Sequence, residues 1–317
     1  WCSMNYNLKL GVITPIKKLL LILIISLPPF LKPISYRILG FRIGRNVKFG
    51  WFSGIIAKHA EIGNNSAISH FTLIFAKELR IGMQSTISTG CWFYGEGSVI
   101  IGNFCYIGAR SFINNQEDFI VGNNTGVGIQ SAVFTHGLWL PYSDGNPRKF
   151  ARIKIGNRVW ITARCVLLPG VTIGDGAIIG ANSVIHKDVP KNVFVSGNPF
   201  KIISANLAFV KKLTQDEKNK RIIEMIDHYC TRNKIAKTEN GMWKKNNQLI
   251  VFNPGSRNLT VRSGKIIAVY SRSPPRINSE ASWLDFQSRK CVLKDPLSKD
   301  FYNFINTYYG EYFEIIN

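Results

Sequence analysis

From Ile155 to Pro190 the chain repeats one six-residue pattern without a slip: an aliphatic residue, then a small one, then polar residues, then a second compact residue. The hexads read Ile155-Gly-Asn-Arg-Val-Trp160, Ile161-Thr-Ala-Arg-Cys-Val166, Leu167-Leu-Pro-Gly-Val-Thr172, Ile173-Gly-Asp-Gly-Ala-Ile178, Ile179-Gly-Ala-Asn-Ser-Val184 and Ile185-His-Lys-Asp-Val-Pro190. Neither the two-residue period of an ordinary strand nor the 3.6-residue period of a helix accounts for this spacing. A hexad beat predicts a parallel β-helix, mainly β, in which each hexad supplies one short strand and one turn, and three hexads close a triangular coil. Successive coils stack at about 4.8 Å. The aliphatic residue points into the prism, the small residue after it permits the corner, and Ala, Ser, Val or Cys four places on fills the remaining interior.

The beat recurs less cleanly upstream, at Ile43-Gly44, Ile62-Gly63, Ile68-Ser69, Ile81-Gly82, Ile87-Ser88, Ile101-Gly102, Ile107-Gly108, Val121-Gly122 and Val127-Gly128. Residues 41–205 are therefore assigned to the solenoid. A slack stretch spans Phe93 to Val99, and a true insertion spans Gly137 to Arg152, with Trp139, Pro141, Tyr142, Gly145 and Pro147. Insertions of this kind become surface loops on the working face of a solenoid.

Residues 1–40 have a different pattern. Leu19 to Leu31 is an uncharged apolar run bounded by Lys17-Lys18 and Lys32. It is shorter than the roughly twenty residues a spanning helix needs, and Pro28-Pro29 ends any helix. Two expectations follow: a shallow in-plane contact with an anionic membrane, or an apolar helix that caps the open end of the β-helix or buries itself between copies of the chain. No small-residue cleavage site follows the run, which argues against a secretory leader. Beyond the solenoid, residues 206–317 predict an accessory α+β domain. Thr214 to Glu217 forms a capping-box pattern before a helix to about Thr231. Short apolar runs at Gln248–Phe252, Leu259–Arg262, Lys265–Tyr270, Trp283–Phe286 and Cys291–Leu293 precede a helix over Ser298–Tyr309, with Phe301, Phe304, Ile305 and Tyr308 on one face.

Charge sharpens the picture at the N-terminus. The chain has 40 Lys and Arg against 19 Asp and Glu, for a net charge of +21, and no acid precedes Glu61. Such a balance suits an anionic surface or nucleic acid. The six cysteines, Cys2, Cys91, Cys105, Cys165, Cys230 and Cys291, show no paired spacing and read as reduced thiols.

The linked phrases Ile155-Gly-Asn-Arg-Val-Trp-Ile161, Leu168-Pro-Gly-Val-Thr-Ile-Gly-Asp-Gly-Ala177, Gly180-Ala-Asn-Ser-Val184, Lys187-Asp-Val-Pro190 and Gly197-Asn-Pro-Phe-Lys-Ile202 carry a resemblance to a known family. The chain resembles the hexapeptide-repeat acyltransferases, in the branch that includes maltose, galactoside, xenobiotic and polysaccharide acetyltransferases. That resemblance implies a left-handed β-helix, a homotrimer with sites between subunits, and transfer of an acetyl group from acetyl-CoA, with no metal. It makes His136 the general base, and an imidazole suits that task because its pKa lies near neutrality. It places Asn115, or its neighbour Asn114, facing the acceptor, with Asp144 or a backbone carbonyl as candidates to orient the His136 ring. Trp160, Thr162, Ala163 and Ala181 match the groove for the pantetheine arm, and Lys187, Lys201 and the turn Gly197-Asn198-Pro199 match its nucleotide end.

The implied acceptor is a sugar or surface-polysaccharide hydroxyl, including one on a lipid carrier at the cytoplasmic face of a bacterial inner membrane. N-acetylation of an amino-sugar and a non-catalytic trimeric scaffold are the alternatives. A carbonic-anhydrase-like metal site is disfavoured because His59, His70, His136, His186 and His228 include no close pair. The repeat motifs and His136 argue against a nucleic-acid partner.

Overall fold

The computed structural model describes residues 15–138, 140–207, 210–211, 213–238, 242–245, 248–253, 265–270, 281–309, 311 and 313–316. Trp139, Cys2 and the apolar run Leu259–Arg262 lie outside the described residues. The chain divides into two compact units, residues 1–210 and 211–317.

The first unit is a parallel β-helix of the left-handed type, and the hexad beat maps directly onto it. Each coil crosses three walls in turn. In one coil these are the strands Ile153–Ile155, Trp160–Ile161 and Val166–Leu167, and in the next Thr172–Ile173, Ile178–Ile179 and Val184–Ile185. The second wall is a nine-stranded sheet that ends in an antiparallel hairpin, Phe194–Gly197 with Phe200–Ser204. The first and third walls join into one twelve-stranded sheet because the long strands Gly54–Ile62 and Leu73–Ile81 run straight through the corner between them.

Ile155, Ile161, Leu167, Ile173, Ile179 and Ile185 are all buried, as are Val159, Cys165, Val171, Ala177, Ser183 and Val189. The two positions together fill each layer of the prism. Burying the whole aliphatic side chain at each coil supplies roughly 2 kcal/mol per residue, the main force holding coil on coil.

Where glycine follows the aliphatic residue, and not Ser69, Ser88, Thr162, Leu168 or His186, it serves a different purpose from the one its position in the hexad suggests. Gly63, Gly108, Gly128 and Gly174 do not have positive φ. A Cβ at these positions would instead lie 2.4 to 2.5 Å from backbone atoms of the following coil. Close stacking therefore excludes a side chain there. The left-handed backbone of the turn falls two residues later, on Asn124, Gln130, Arg158, Arg164 and Asn182, with φ of 53 to 60°. Asparagine tolerates that region better than most residues, which explains its frequency at this place. A second ladder closes the corner between first and second walls: Asn103 accepts from Met83 N–H, Asn123 from Asn103 N–H, Asn157 from Asn123 N–H, and Asp175 from Asn157 N–H, at 2.7 to 2.9 Å.

The N-terminal end of the prism is closed by α1 (Pro15–Ser26) and α2 (Lys32–Ile38). Leu21 and Ile24 of α1 enter the core, and Ile25 packs on Gly54, where a Cβ would lie 2.3 Å from it. Tyr36 of α2 is fully buried against the rings of Phe41 and Phe49, and its hydroxyl accepts from Ile55 N–H at 2.8 Å. Lys32 is shielded from solvent, yet its ammonium donates to the carbonyls of Ile25, Gly50 and Ser53 at 2.7 to 3.0 Å. Burial lowers its pKa to about 8, so at neutral pH the charged form still predominates and makes all three bonds.

In the second unit α3 (Gln215–Arg232) begins with the capping box: Thr214 accepts from Glu217 N–H, and the Glu217 carboxylate accepts from Thr214 N–H. Its apolar face and that of α4 (Pro296–Tyr309) meet through Tyr229, Phe301 and Phe304, against a mixed sheet with seven strands among the described residues. The described strands of that sheet include Gln248–Asn253, Lys265–Tyr270, Ser282–Asp285 and Lys290–Val292, at four of the apolar runs. Tyr229, Trp243, Phe301, Tyr302, Phe304 and Phe313 are part of its core. Cys91, Cys105, Cys165, Cys230 and Cys291 are buried thiols, and desolvation raises the pKa of each.

Candidate functional site

The third wall runs outward residue by residue toward His136. Its strands Trp92–Tyr94, Phe112–Asn114 and Ala132–Phe134 pair in parallel, with Tyr94, Asn114 and Phe134 in one column. Phe93, Ile113 and Val133 point inward, so Asn114 points out. After Phe134 the chain turns the corner through Thr135 and His136 and leaves the prism. The register shift between Val133 and Leu167 is 34 residues where a regular coil, Leu167 to Ile185, takes 18, and the excess of 16 is the insertion 137–152.

That loop is pinned at its root. His136–Gly137 pairs antiparallel with Lys149–Phe150, and Ala151 N–H donates to the Thr135 carbonyl at 2.9 Å. The His136 ring is half-buried, 5.2 Å from the Phe150 ring, and its Nδ1 lies 2.7 Å from Asn114 Oδ1. With the amide oxygen toward the ring, Nδ1 carries the proton and Nε2 keeps its lone pair, without a partner among the described residues. Desolvation lowers the His136 pKa below its usual 6.5, so the imidazole is neutral at pH 7. Arg148 spans Tyr142 and Phe150, with its guanidinium carbon 5.4 and 5.6 Å from their ring centres.

Two sequence expectations change here. Asn115 does not face an acceptor: it is fully buried, and its amide donates to the carbonyls of Phe75 and Gly97 at 3.1 and 3.2 Å. The residue in contact with His136 is Asn114. Strand parity is the reason, because Asn114 follows the inward Ile113 and so points outward, a signal already present in the hexad count. Asp144 does not orient the ring either; it sits exposed in the loop, where the Ser143 hydroxyl donates to it.

The residues matched to a cofactor groove occupy other parts of the prism. Trp160 stands exposed on the second wall in a column with Gly126 and Ile178. Thr162 and Ala163 form the corner between second and third walls, beside Gly180 and Ala181 of the next coil. The Thr162 hydroxyl turns back to donate to the Ile179 carbonyl at 2.8 Å, leaving the corner lined by small groups. Gly197, Asn198 and Pro199 make the turn of the terminal hairpin, with Lys201 exposed on its return strand. Lys187 lies at the same corner as His136, between third and first walls, with its Nζ 5.5 Å from the Phe200 ring. His136 and Asn114 are thus together, whereas Thr162, Ala163 and Ala181 lie at a different corner of the same prism.

Among the described residues no three His, Cys, Asp or Glu side chains gather as a metal site. His70 accepts from Trp51 N–H, and His228 bonds the Tyr309 hydroxyl at 2.6 Å, so both have structural partners.

Residues 152–187 match the family described as bacterial transferase hexapeptide (six repeats). The chain is 53% identical over 51 residues to the galactoside O-acetyltransferase of Escherichia coli K12, covering 16% of this chain and 25% of that protein. It is 33% identical over 115 residues to a chloramphenicol acetyltransferase of Agrobacterium fabrum, covering 34% and 52%. The matches therefore span between a quarter and about half the length of these relatives. Among solved structures, the polysialic acid O-acetyltransferase OatWY is 20% identical with a TM-score of 0.40, covering 55% of this chain and 89% of that one.

Proposed function

We propose that this chain, whose β-helix belongs to the hexapeptide-repeat acyltransferase family, transfers an acetyl group from acetyl-CoA to a sugar hydroxyl. The observation that carries the reading is the Asn114–His136 pair, a neutral half-buried imidazole held by its Nδ1–H with Nε2 open at the root of the inserted loop. In this mechanism Nε2 takes the proton of the acceptor hydroxyl as its oxygen attacks the thioester carbonyl. The tetrahedral intermediate then collapses, the C–S bond breaks, and the imidazolium returns its proton to the leaving thiolate. No covalent enzyme intermediate forms.

A sugar suits the surroundings of that nitrogen. The outward positions leading to Asn114 are aromatic, with Trp92, Tyr94, Phe112 and Phe134 in ring contact at 6.0 to 6.5 Å, and Tyr142 and Phe150 lie in the loop. Aromatic faces pack well on the apolar faces of sugar rings, and the matched segment of the galactoside enzyme points the same way. Thr162, Ala163 and Ala181, with Trp160 on the adjoining second wall, supply a shallow corner for the pantetheine arm, and Lys187 and Lys201 supply cations for the phosphates. Because that corner and the His136 corner are different edges of one prism, the reading calls for a homotrimer, with one copy lending the groove and its neighbour the base.

Thiol release from acetyl-CoA, measured against a panel of sugars, tests this. Acceptor-dependent release that disappears in His136→Ala while the variant still binds CoA is the expected result. Near-normal turnover in that variant would remove His136 from the mechanism.

A further inference from the structure

We propose that the N-terminal cap, besides closing the β-helix, is a docking surface for an anionic lipid membrane. The cap is two-faced. Leu21, Ile24, Lys32 and Tyr36 turn inward, whereas Ile16, Leu19, Leu20 and Leu23 recur at helical spacing on the opposite side of α1 and are exposed. On α2 the same inversion places Ile34 and Ile38 outward, with Ile38 79% exposed, and Phe30 and Leu31 just before the helix are exposed too, Phe30 by 73%. An outer face made of Ile, Leu and Phe is costly in water and has no role in the prism.

Aromatic side chains of the first coils extend the surface. The Lys32 ammonium grips the carbonyls of Gly50 and Ser53, and so holds the turn between them, which carries exposed Trp51 and Phe52. Phe52 stacks on exposed Phe71 of the next coil at 5.7 Å. The apolar face is thus tied to the prism by a buried clamp rather than hanging from a loop. Aromatic and aliphatic side chains at the level of lipid headgroups, ringed by cations, are the composition of an interfacial segment.

Charge selects the occupant. Lys18 on α1 and exposed Arg42, Arg45 and Lys48 on the first coil carry the charge at this end of the prism, while Lys17 turns its ammonium to the Lys58 carbonyl and the Phe41 ring, and no acid precedes Glu61. Anionic headgroups complement that charge. A second copy seated on this face does not, since self-pairing would set Lys18, Arg42, Arg45 and Lys48 against the same cations of the other copy. The contact is shallow: α1 has 12 residues, about 18 Å of helix, and no helix among the described residues is long and apolar enough to cross a membrane. None of this depends on the acetyl-transfer reading.

The test is co-sedimentation of the full chain with vesicles of pure phosphatidylcholine or of phosphatidylcholine with about one-third phosphatidylglycerol, at low and high salt. The expected result is binding at least about tenfold stronger to the anionic vesicles, weakened by salt, and reduced about tenfold or more in the double variant Leu19→Ser, Leu23→Ser. A second variant, Arg45→Glu with Lys48→Glu, is expected to lose the preference for phosphatidylglycerol while keeping the melting temperature of the parent. Failure of the parent to bind anionic vesicles overturns the proposal. So does parent-like binding by the Leu19, Leu23 variant, or a change in its oligomeric mass, which would make the patch an interface between copies. Thiol release in vesicle-free buffer, followed in parallel, keeps the failure of this surface distinct from failure of the catalytic reading.

Discussion

Replacing Asn114 probes the catalytic reading at the bond that carries it. In Asn114→Ala the 2.7 Å contact to His136 Nδ1 disappears, and the half-buried ring loses the partner that fixes its tautomer and direction. A hydrogen bond of this kind contributes about 1–2 kcal/mol, which at 1.4 kcal/mol per factor of ten corresponds to a loss of roughly five- to thirtyfold in kcat. The KM for acetyl-CoA should stay put, because the groove residues lie at another corner. Asn114→Asp gives the sharper readout. The imidazole must be neutral to act as base, so the rate rises with pH through the His136 pKa and is flat above it. Desolvation holds that pKa below 6.5, so the parent is mostly in its active, neutral form at pH 7. A carboxylate in the place of the amide stabilises the imidazolium, so the acid limb should move upward by about one pH unit or more. The assay is the pH profile of kcat for acetyl-CoA-dependent thiol release. A limb that does not move in Asn114→Asp, together with full kcat in Asn114→Ala, would refute the pairing as a catalytic device.

Three further outcomes follow from the packing. Asn115→Ala strips two donors from the buried carbonyls of Phe75 and Gly97 and should lower stability by about 2 kcal/mol in a denaturant titration, while the pH profile of the folded enzyme keeps its parent shape. Lys32→Met removes three hydrogen bonds at the capped end, leaving the Gly50 carbonyl with the Ser53 hydroxyl alone, and is expected to cost about 3 kcal/mol, read as a lowered thermal midpoint; a midpoint within a degree of the parent would show that the clamp is dispensable. Gly63→Ala sets a Cβ 2.4 Å from Met83 N and should destabilise by about 2 kcal/mol or more, whereas Gly145→Ala, at φ of 83° but with open space around it, should cost about 1 kcal/mol; equal costs would mean that coil contact is not what excludes side chains.

How far the site could be read in advance depended on position within the hexad. The place of His136 at the root of the insertion was legible because the beat stops there, and the stacking of the coils leaves an inserted chain nowhere to go but outward; the role of base came from the family resemblance. The choice between Asn114 and Asn115 was a matter of strand parity at a corner, and counting outward from the inward Ile113 settles it for Asn114. The second unit was legible in its two helices and in four of its apolar runs, since a capping box and a 3.6-residue stripe are local features. The order of its strands was not, because pairing between distant segments leaves no local trace.

The sequence by itself determined the prism. Its interior is a one-dimensional pattern, with each layer filled by the aliphatic residue of the hexad and the compact one four places on, so spacing along the chain is sufficient to specify stacking in space. Only the tertiary structure decided what depends on contacts between coils or between chain segments far apart. It showed that glycine is required by the backbone of the next coil and not by its own φ, that Lys32 is a buried clamp and not part of a solvated basic flank, and that His136 bonds Asn114, 22 residues earlier in the chain. It also separated the corner of His136 from the corner of Thr162, Ala163 and Ala181. The physical reason is the same in each case: a hexad records which way a residue points, and not what the neighbouring coil brings against it.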